Sequence, residues 1–474
     1  MKLTLLFTAS LVASLAHAQS NAAAGGAKSQ EPSYIPAERP GDGKPVCGLG
    51  KSFHSGRRKA LRDALGDGVV VVRGLPDVRD YLPFRQDKVF WYLTGVESPN
   101  AALVMDCKSG REVLLLPKAN KGRESWDGEL WDADDAWAKD LTGFSEVRTS
   151  ADLDALLTEL VKPGATIWIS MHPNVALAGC FDQAAGTDMA IHKDPFDGRV
   201  TREQALKDAL QKKFSIDPKD FTKQINELRR VKQPEEIAAM RRAGRAGALA
   251  MAEAMRSTAP NLGEWELDGL MSWVQMREGA AGPAYHAIVG SGRNSLVLHY
   301  GDSSRRMLDG EVILIDYAPE VDHYDSDITR TWPVNGKFTA RQAELYDVVF
   351  EAQAAGIAAV KPGATMRDVE SACSAVIAKH NFSEFVRHGA CHYIGMEVHD
   401  VGAGGAKLVP GVCFTVEPGL YEESTGIGIR IEDVVCVTES GCEVLSRDVP
   451  KDRATVEKLV QEQGVLDWLS QRKQ

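Results

Sequence analysis

Several features are scarce in this chain. Beyond the first twenty residues no apolar run is long enough to span a bilayer, so the sequence offers no helical membrane insertion. Basic residues are outnumbered: 55 lysines and arginines face 66 aspartates and glutamates, for a net charge of -11. That balance excludes the broad basic face of a nucleic-acid binder. The eight cysteines include no C-x-x-C pair, which removes the common zinc frameworks. The glycines of GIGIRI, residues 426–431, precede no helix and lack phosphate-loop spacing, so nucleotide binding is rejected.

What is present divides the 474 residues into segments. MKLTLLFTASLVASLAHAQS carries a lysine, an apolar run and Ala16-His17-Ala18, which together predict a secretory signal over 1–18 with cleavage before Gln19. The mature chain is therefore expected to be exported, periplasmic or secreted. Residues 19–45 are rich in Ala, Gly and Pro and read as a linker or mobile arm. Over 46–220, strands (GVVVVRG, AALVMD, EVLLLP, ATIWIS) alternate with helices (RKALRDAL, DADDAWAKDL, ADLDALLTELV), the pattern of an α/β domain. Within it YLTG reads as strand-and-turn packing.

Residues 221–474 mix long helices with antiparallel-looking strands, giving an α+β chain as a whole. One helix is predicted over 232–257, with Pro234 at its start and Glu235 and Glu236 in the first turn. Thr339 and Gln342 have capping-box spacing, and Thr365 is a second N-cap. Cys436 and Cys442 flank TESG and could face each other in a hairpin; export permits a disulfide, but strand cysteines are more often simply buried.

The chemistry concentrates in LIDYAPEVDHYDSDITRTW, residues 314–332. Glu320, Asp322 and Asp325 fall in its middle and are expected to be solvated loop acids. Asp316 instead ends an apolar run, and Asp327 opens a second β-type run. A buried carboxylate costs several kcal/mol unless something positive pairs with it. The pattern has an echo: GEVILID (310–316) and GVCFTVE (411–417) both run from glycine through apolar residues to an acid, and Glu432 is the second half's return acid. Hairpins would set Asp316 opposite Asp327, and Glu417 opposite Glu432. Four converging acids repel unless divalent cations neutralise them. RHGACHYIGMEVHD adds His388, His392 and His399, at least one of them a metal ligand.

These stretches, with IVGSGRNSLVLHY, FTVEPGLY and GIGIRIEDVV, closely resemble the Xaa-Pro aminopeptidases, or aminopeptidase P, of the "pita-bread" metallopeptidases. Upstream, FRQDKVFWYLTGVESPNAALVMD and ESWDGELW resemble that family's N-terminal domain, so the likeness runs over about residues 50 to 465. It implies a pita-bread catalytic domain holding two divalent ions, manganese first, with cobalt or zinc also compatible. The implied ligands are Asp316, Asp327, His392, Glu417 and Glu432, with Asp327 and Glu432 bridging. The implied reaction is hydrolysis of the bond between an N-terminal residue and a penultimate proline, by hydroxide held between the ions. Glu417 would carry the proton, one metal or His399 would stabilise the oxyanion, and His299 and His388 would line the substrate site. Arg430 would either contact substrate or position Glu432, and Cys391 would only fill space.

Peptides with a penultimate proline are the implied partners, and a homo-oligomer the implied assembly. A prolidase, cutting only X-Pro dipeptides, shares the five ligands, but the upstream stretches fit the aminopeptidase better. A creatinase-like hydrolase without metals or a non-catalytic binding protein would have lost ligands, and none is lost here. ESWDGELWDADDAW departs from the family in carrying more acids, which leaves substrate length and subunit contacts open.

Overall fold

The computed structural model describes residues 45–77, 83–176 and 179–471. The signal segment and almost all of the linker lie outside the described residues. Among those residues no helix is long and apolar enough to cross a membrane.

The first sheet has the order β4-β3-β2-β1-β5-β6. Its strands are β1 (Val69–Arg73), β2 (Ala102–Asp106), β3 (Glu112–Leu116), β4 (Glu146–Thr149), β5 (Ile167–Ile169) and β6 (Lys219–Asp220). β1 pairs antiparallel with β2 and parallel with β5, so the sheet is mixed. Alternation sends Val70, Val72, Leu103 and Leu114 into one apolar cluster and Val69, Val71, Val104 and Val113 into another. The first cluster continues through Phe221 and Met240 to Ile394, Met396, Cys413 and Val434. The segment carrying the three C-terminal histidines is thus anchored on the N-terminal sheet.

YLTG is not a strand. It closes a helix, Lys88–Thr94, whose start is capped by the Asp87 side chain accepting from the Phe90 N–H at 2.8 Å. Gly95 ends it at φ 70, and a Cβ there would lie 2.6 Å from His54. Caps at both ends override the β preference of Phe90, Trp91 and Tyr92. The helix expected across DADDAWAKDL is confined to Trp137–Thr142.

In the C-terminal half the helix Pro234–Ser257 starts where its proline and Glu236 dictate, with the Gln233 N–H donating to Glu236 at 2.8 Å. Thr339 and Gln342 form the expected capping box of helix Ala340–Ala359, and Thr365 caps Met366–Lys379. Three strands, β7 (Gly282–Pro283), β10 (Pro319–Val321) and β11 (Tyr324–Asp325), make a small sheet. A second sheet has the order β12-β9-β8, from β8 (Ile288–Ser291), β9 (Val312–Asp316) and β12 (Thr329–Pro333). A third has the order β13-β16-β17, from β13 (Cys413–Val416), β16 (Asp433–Val437) and β17 (Cys442–Val444). β14 (Gly419–Glu422) and β15 (Ile427–Arg430) form a hairpin.

Register corrects two expectations and bears out a third. Asp316 stands opposite Thr329, two residues beyond Asp327, because residues 317–328 are not a plain turn but contain the β10–β11 hairpin. In the echoing half Val416 pairs with Asp433, so Glu417 and Glu432, the next residues along the two strands, stand opposite each other as expected. Cys436 faces Cys413, while Cys442 faces Val437; all eight cysteines are free thiols.

The middle acids of the 314–332 stretch are not all solvated. Glu320 and Asp325 are 1% and 2% exposed. Glu320 pairs with Arg85, and the Asp325 N–H donates to the Gly395 carbonyl at 2.8 Å. The hairpin turn needs positive φ at both central residues. Asp322 (φ 49) and His323 (φ 64) accept it, held by Arg242 at 2.5 Å and by stacking of His323 on Trp91 at 4.1 Å. Sequence spacing does not reveal that this hairpin packs on Trp91 of the helix Lys88–Thr94 and takes its cations from Arg85, just ahead of that helix, and from Arg242 of the helix Pro234–Ser257.

Candidate metal centre

The second and third sheets meet at the strand ends that carry the acids. The Glu432 N–H donates to the Thr329 carbonyl at 3.1 Å, and the Thr331 hydroxyl donates to the Arg430 carbonyl at 3.1 Å. Asp316 at the end of β9, Asp327 ahead of β12, Glu417 after β13 and Glu432 ahead of β16 therefore converge. Asp327 and Glu432 are buried at 4% and 1% exposure.

His392 enters from the 388–399 segment, which lies along β13. Its N–H donates to the Thr415 hydroxyl at 3.1 Å, and the Thr415 N–H donates back to its carbonyl at 2.9 Å. Its Nε2 lies 3.4 Å from Asp327, 3.6 Å from Glu417 and 3.9 Å from Glu432. Its Nδ1 faces the Tyr393 carbonyl at 3.1 Å, which holds a proton there, so Nε2 is the nitrogen turned toward the acids.

Arg430 is committed to protein partners. Nη2 donates to Asp316 at 2.7 Å, Nη1 to the Tyr421 hydroxyl at 2.7 Å and Nε to the Thr329 hydroxyl at 3.0 Å. Thr329 in turn donates to Glu432 at 2.6 Å. His388 places Nε2 2.8 Å from the Tyr421 hydroxyl and Nδ1 3.6 Å from Glu417. His399 stacks on His392 at 4.1 Å, with Nδ1 3.4 Å from Asp182. His299 is solvent-exposed at the rim, within the fields of Asp316 and Arg430. Cys391 is next to His392 in sequence, but burial pushes its thiol well above the ordinary range, so it stays protonated.

Sequence reasoning missed several of these partners. Tyr285 is the most consequential: its hydroxyl lies 2.6 Å from an oxygen of both Asp316 and Asp327. Nothing in Ala284-Tyr285-His286 marks it. Tyr421 lies inside FTVEPGLY, where no spacing signal separates it from its packing neighbours, and Asp182 belongs to a helix far away in sequence.

The charges do not balance. Four acids meet one guanidinium and one imidazole, and the single Tyr285 proton cannot bond to both carboxylates at once. Burial and the neighbouring acids push Glu432 well above the ordinary carboxylate range and raise Asp327. Burial also takes Glu417 up to about 7. Burial opposes charge on His392, but Asp327 and Glu417 outweigh it and bring the ring to about 9. Burial and Arg430 push His388 down to about 4, and burial lowers His299 and His399. Protons are thus the chain's own substitute for missing positive charge. Asp327, His392 and Glu432 each offer a donor atom within 4.8 Å of the others. Carboxylate oxygens with one imidazole nitrogen suit a divalent cation, and the residues present fit one.

Comparison with known proteins agrees with this geometry. Residues 238–439 match metallopeptidase family M24, and residues 54–168 match the aminopeptidase P N-terminal domain. An Xaa-Pro aminopeptidase of Escherichia coli (strain K12) is 32% identical over 442 residues, covering 85% of this chain and 96% of that protein. A human Xaa-Pro dipeptidase is 27% identical over 448 residues, covering 80% of this chain and 86% of that protein. The structure of zinc-substituted E. coli aminopeptidase P in complex with product aligns with a TM-score of 0.72 at 30% identity, covering 86% of this chain and 98% of that one. The acid-bearing half matches the one family, the half before it matches the companion domain, and the chain belongs to the aminopeptidase P family of M24 metallopeptidases.

Proposed function

We propose that this protein is a metal-dependent aminopeptidase that releases an N-terminal residue lying ahead of a penultimate proline. The observation that carries the reading is the charge deficit: four inward acids share one arginine and one histidine. Asp316, Asp327, His392, Glu417 and Glu432 would hold two divalent ions, with Asp327 and Glu432 between them. Manganese suits the oxygen-rich set, and cobalt or zinc would also be accepted. When bound, the ions supply Lewis acidity and bring the pKa of water toward neutrality.

The chain's own residues divide the remaining work. Glu417 keeps 15% of its side chain exposed where Glu432 keeps 2%, so of the two it is the acid that reaches substrate. It would take the proton of the attacking water and deliver it to the departing proline nitrogen. His299, His388 and His399 flank the acids. Their lowered basicity keeps them neutral at pH 7, so each offers a hydrogen-bonding nitrogen without adding a competing cation. Arg430, with every nitrogen bonded to protein, balances charge and orients Asp316 rather than binding substrate. A prolyl bond carries no N–H, so a site that recognises ring shape suits it better than one that grips an extended backbone. Export directed by residues 1–18 and assembly into a homo-oligomer belong to the same reading.

The test is a panel of X-Pro-Y, X-Ala-Y and X-Pro peptides, assayed after chelation and again with manganese, cobalt or zinc restored. Metal-dependent cleavage of X-Pro-Y is the expected result. Cleavage of the dipeptide alone would make the protein a prolidase, and activity indifferent to chelator would overturn the metal centre.

A further inference from the structure

A second group of metal-binding side chains lies beside the first. Cys180, Asp182 and His399 each present a ligand atom within 4.8 Å of the other two. The group joins distant parts of the chain: Cys180 and Asp182 sit at the start of the helix Phe181–Lys193, and His399 belongs to the segment that also carries His392. We propose that Cys180, Asp182 and His399 form an inhibitory zinc site, distinct from the carboxylate centre, which captures the His399 side chain.

The three residues are held in place before any ion arrives. The Phe181 N–H donates to the His399 carbonyl at 2.9 Å, tying the helix start to the histidine's own backbone. Phe181 stacks on His172 at 3.7 Å and 8°, and His172 Nε2 lies 3.1 Å from the Phe181 carbonyl. His399 is fixed from the other side by stacking on His392. The Asp182 oxygen and His399 Nδ1 are 3.4 Å apart, close to the edge of a tetrahedron with ligand bonds of about 2.0–2.1 Å. Three protein ligands leave a fourth position for water.

The ligand set also selects the ion. A thiolate, an imidazole and a carboxylate favour zinc, whereas the neighbouring centre of four carboxylates and one imidazole accepts harder manganese. Occupation releases one proton, from the Cys180 thiol; the Asp182 carboxylate and the neutral His399 ring supply the other two donors. A divalent ion with the thiolate and the carboxylate is electrically neutral. The bound ion engages the His399 ring where it already stands beside Asp182 and so withdraws it from substrate. That consequence rests on the peptidase reading; the binding does not.

The experiment uses the full-length, manganese-loaded enzyme titrated with zinc. Loss of His399 from the reaction predicts a fall in turnover of roughly a hundredfold at saturation. Cys180→Ser should keep the basal rate and need at least about tenfold more zinc for the same inhibition. Cobalt supplies a readout independent of peptidase activity: the native protein should develop a near-ultraviolet thiolate-to-cobalt band that Cys180→Ser lacks. Zinc should also protect Cys180 of the native protein from alkylation, read by mass spectrometry, which keeps the test open if the variant folds poorly. Zinc inhibition unchanged in Cys180→Ser would assign the effect to the carboxylate centre and overturn the proposal. So would the absence of both the cobalt band and the protection.

Discussion

The segment GMEVHD, residues 395–400, borders two buried ionic clusters with different charge balance. On one side His399 stacks on His392 above the four acids. On the other, Glu397 and Asp400 face the N-terminal half. There Arg229 pairs with both, at 2.6 Å to Asp400; Lys232 donates to Asp400 at 3.0 Å; and Lys88 lies 3.9 Å from Glu397. Three cations meet three buried acids here, Glu397, Asp400 and the neighbouring Asp325, whereas four acids meet two chain cations in the metal centre. Burial alone would raise Asp400, but Lys232 and Arg229 hold its carboxyl well below the usual range. Glu432, Asp327 and Glu417 of the metal centre shift the other way, as does Glu397, which burial takes up to about 7 despite Arg229 and Lys88. A buried carboxylate therefore does not by itself mark a site; a buried carboxylate that the chain leaves unbalanced does.

The largest test of that contrast is Asp327→Ala. It removes an acid placed between His392 and Tyr285, so turnover should fall to background, with the metal content of the dialysed protein falling alongside it. The native protein should gain about 2.7 kcal/mol of stability at free metal near 100 times the dissociation constant, and the variant none of it. Normal metal content in the variant would show that the acids are not the ligands.

In the balanced cluster the same kind of change should act on stability and leave metal content alone. Asp400→Asn strips a buried partner from Arg229 and Lys232, a loss of about 3–5 kcal/mol in denaturant unfolding. A variant as stable as the native protein would mean that the cluster is not an obligate ion pair. Smaller again is Tyr285→Phe, which removes only the hydroxyl shared by Asp316 and Asp327. Metal affinity measured by chelator competition should weaken about 10–100-fold with little change in fold, and unchanged affinity would deny Tyr285 an orienting role.

The least conspicuous effect is in pH dependence, where Asp400 and Glu417 have opposite signs. Asp400 titrates in the folded chain well below its ordinary 3.8, so its contribution is present above that value and fades as pH falls below it. Glu417, raised from 4.5 to about 7, contributes to the metal-free protein below 4.5 and loses that contribution as pH rises through 7. Thermal melts of chelated protein should therefore weaken toward pH 7 and again toward strong acid. Restored metal should remove Glu417's share of the neutral-side loss and leave both the share of Glu397, also raised to about 7, and the acid-side loss. A chelated protein with flat stability between pH 4.5 and 7.5 would break the contrast.

Much of the architecture was legible from the sequence because its signals are local. Valine-rich β1, Pro234, the Thr339–Gln342 capping box and the acids closing apolar runs all act through neighbours a few residues away. The helix Lys88–Thr94 was misread because Asp87 and Gly95 at its ends outweigh an aromatic run with strand preference. Glu320 and Asp325 were misread as solvated because Arg85, which pairs with Glu320, and Gly395, whose carbonyl accepts from the Asp325 N–H, are remote in sequence.

The sequence by itself supplied the donors: which acids end strands, which histidines lie close together, and how the two halves echo each other. Their chemistry is a property of the side chains and survives any arrangement of the backbone. Tertiary structure alone decided the register that puts Asp316 across from Thr329, the Tyr285 proton placed between two acids, and the cations given to one acidic cluster and withheld from the other. Charge balance depends on separations of a few ångströms between residues up to hundreds of positions apart, and only the folded chain sets those separations.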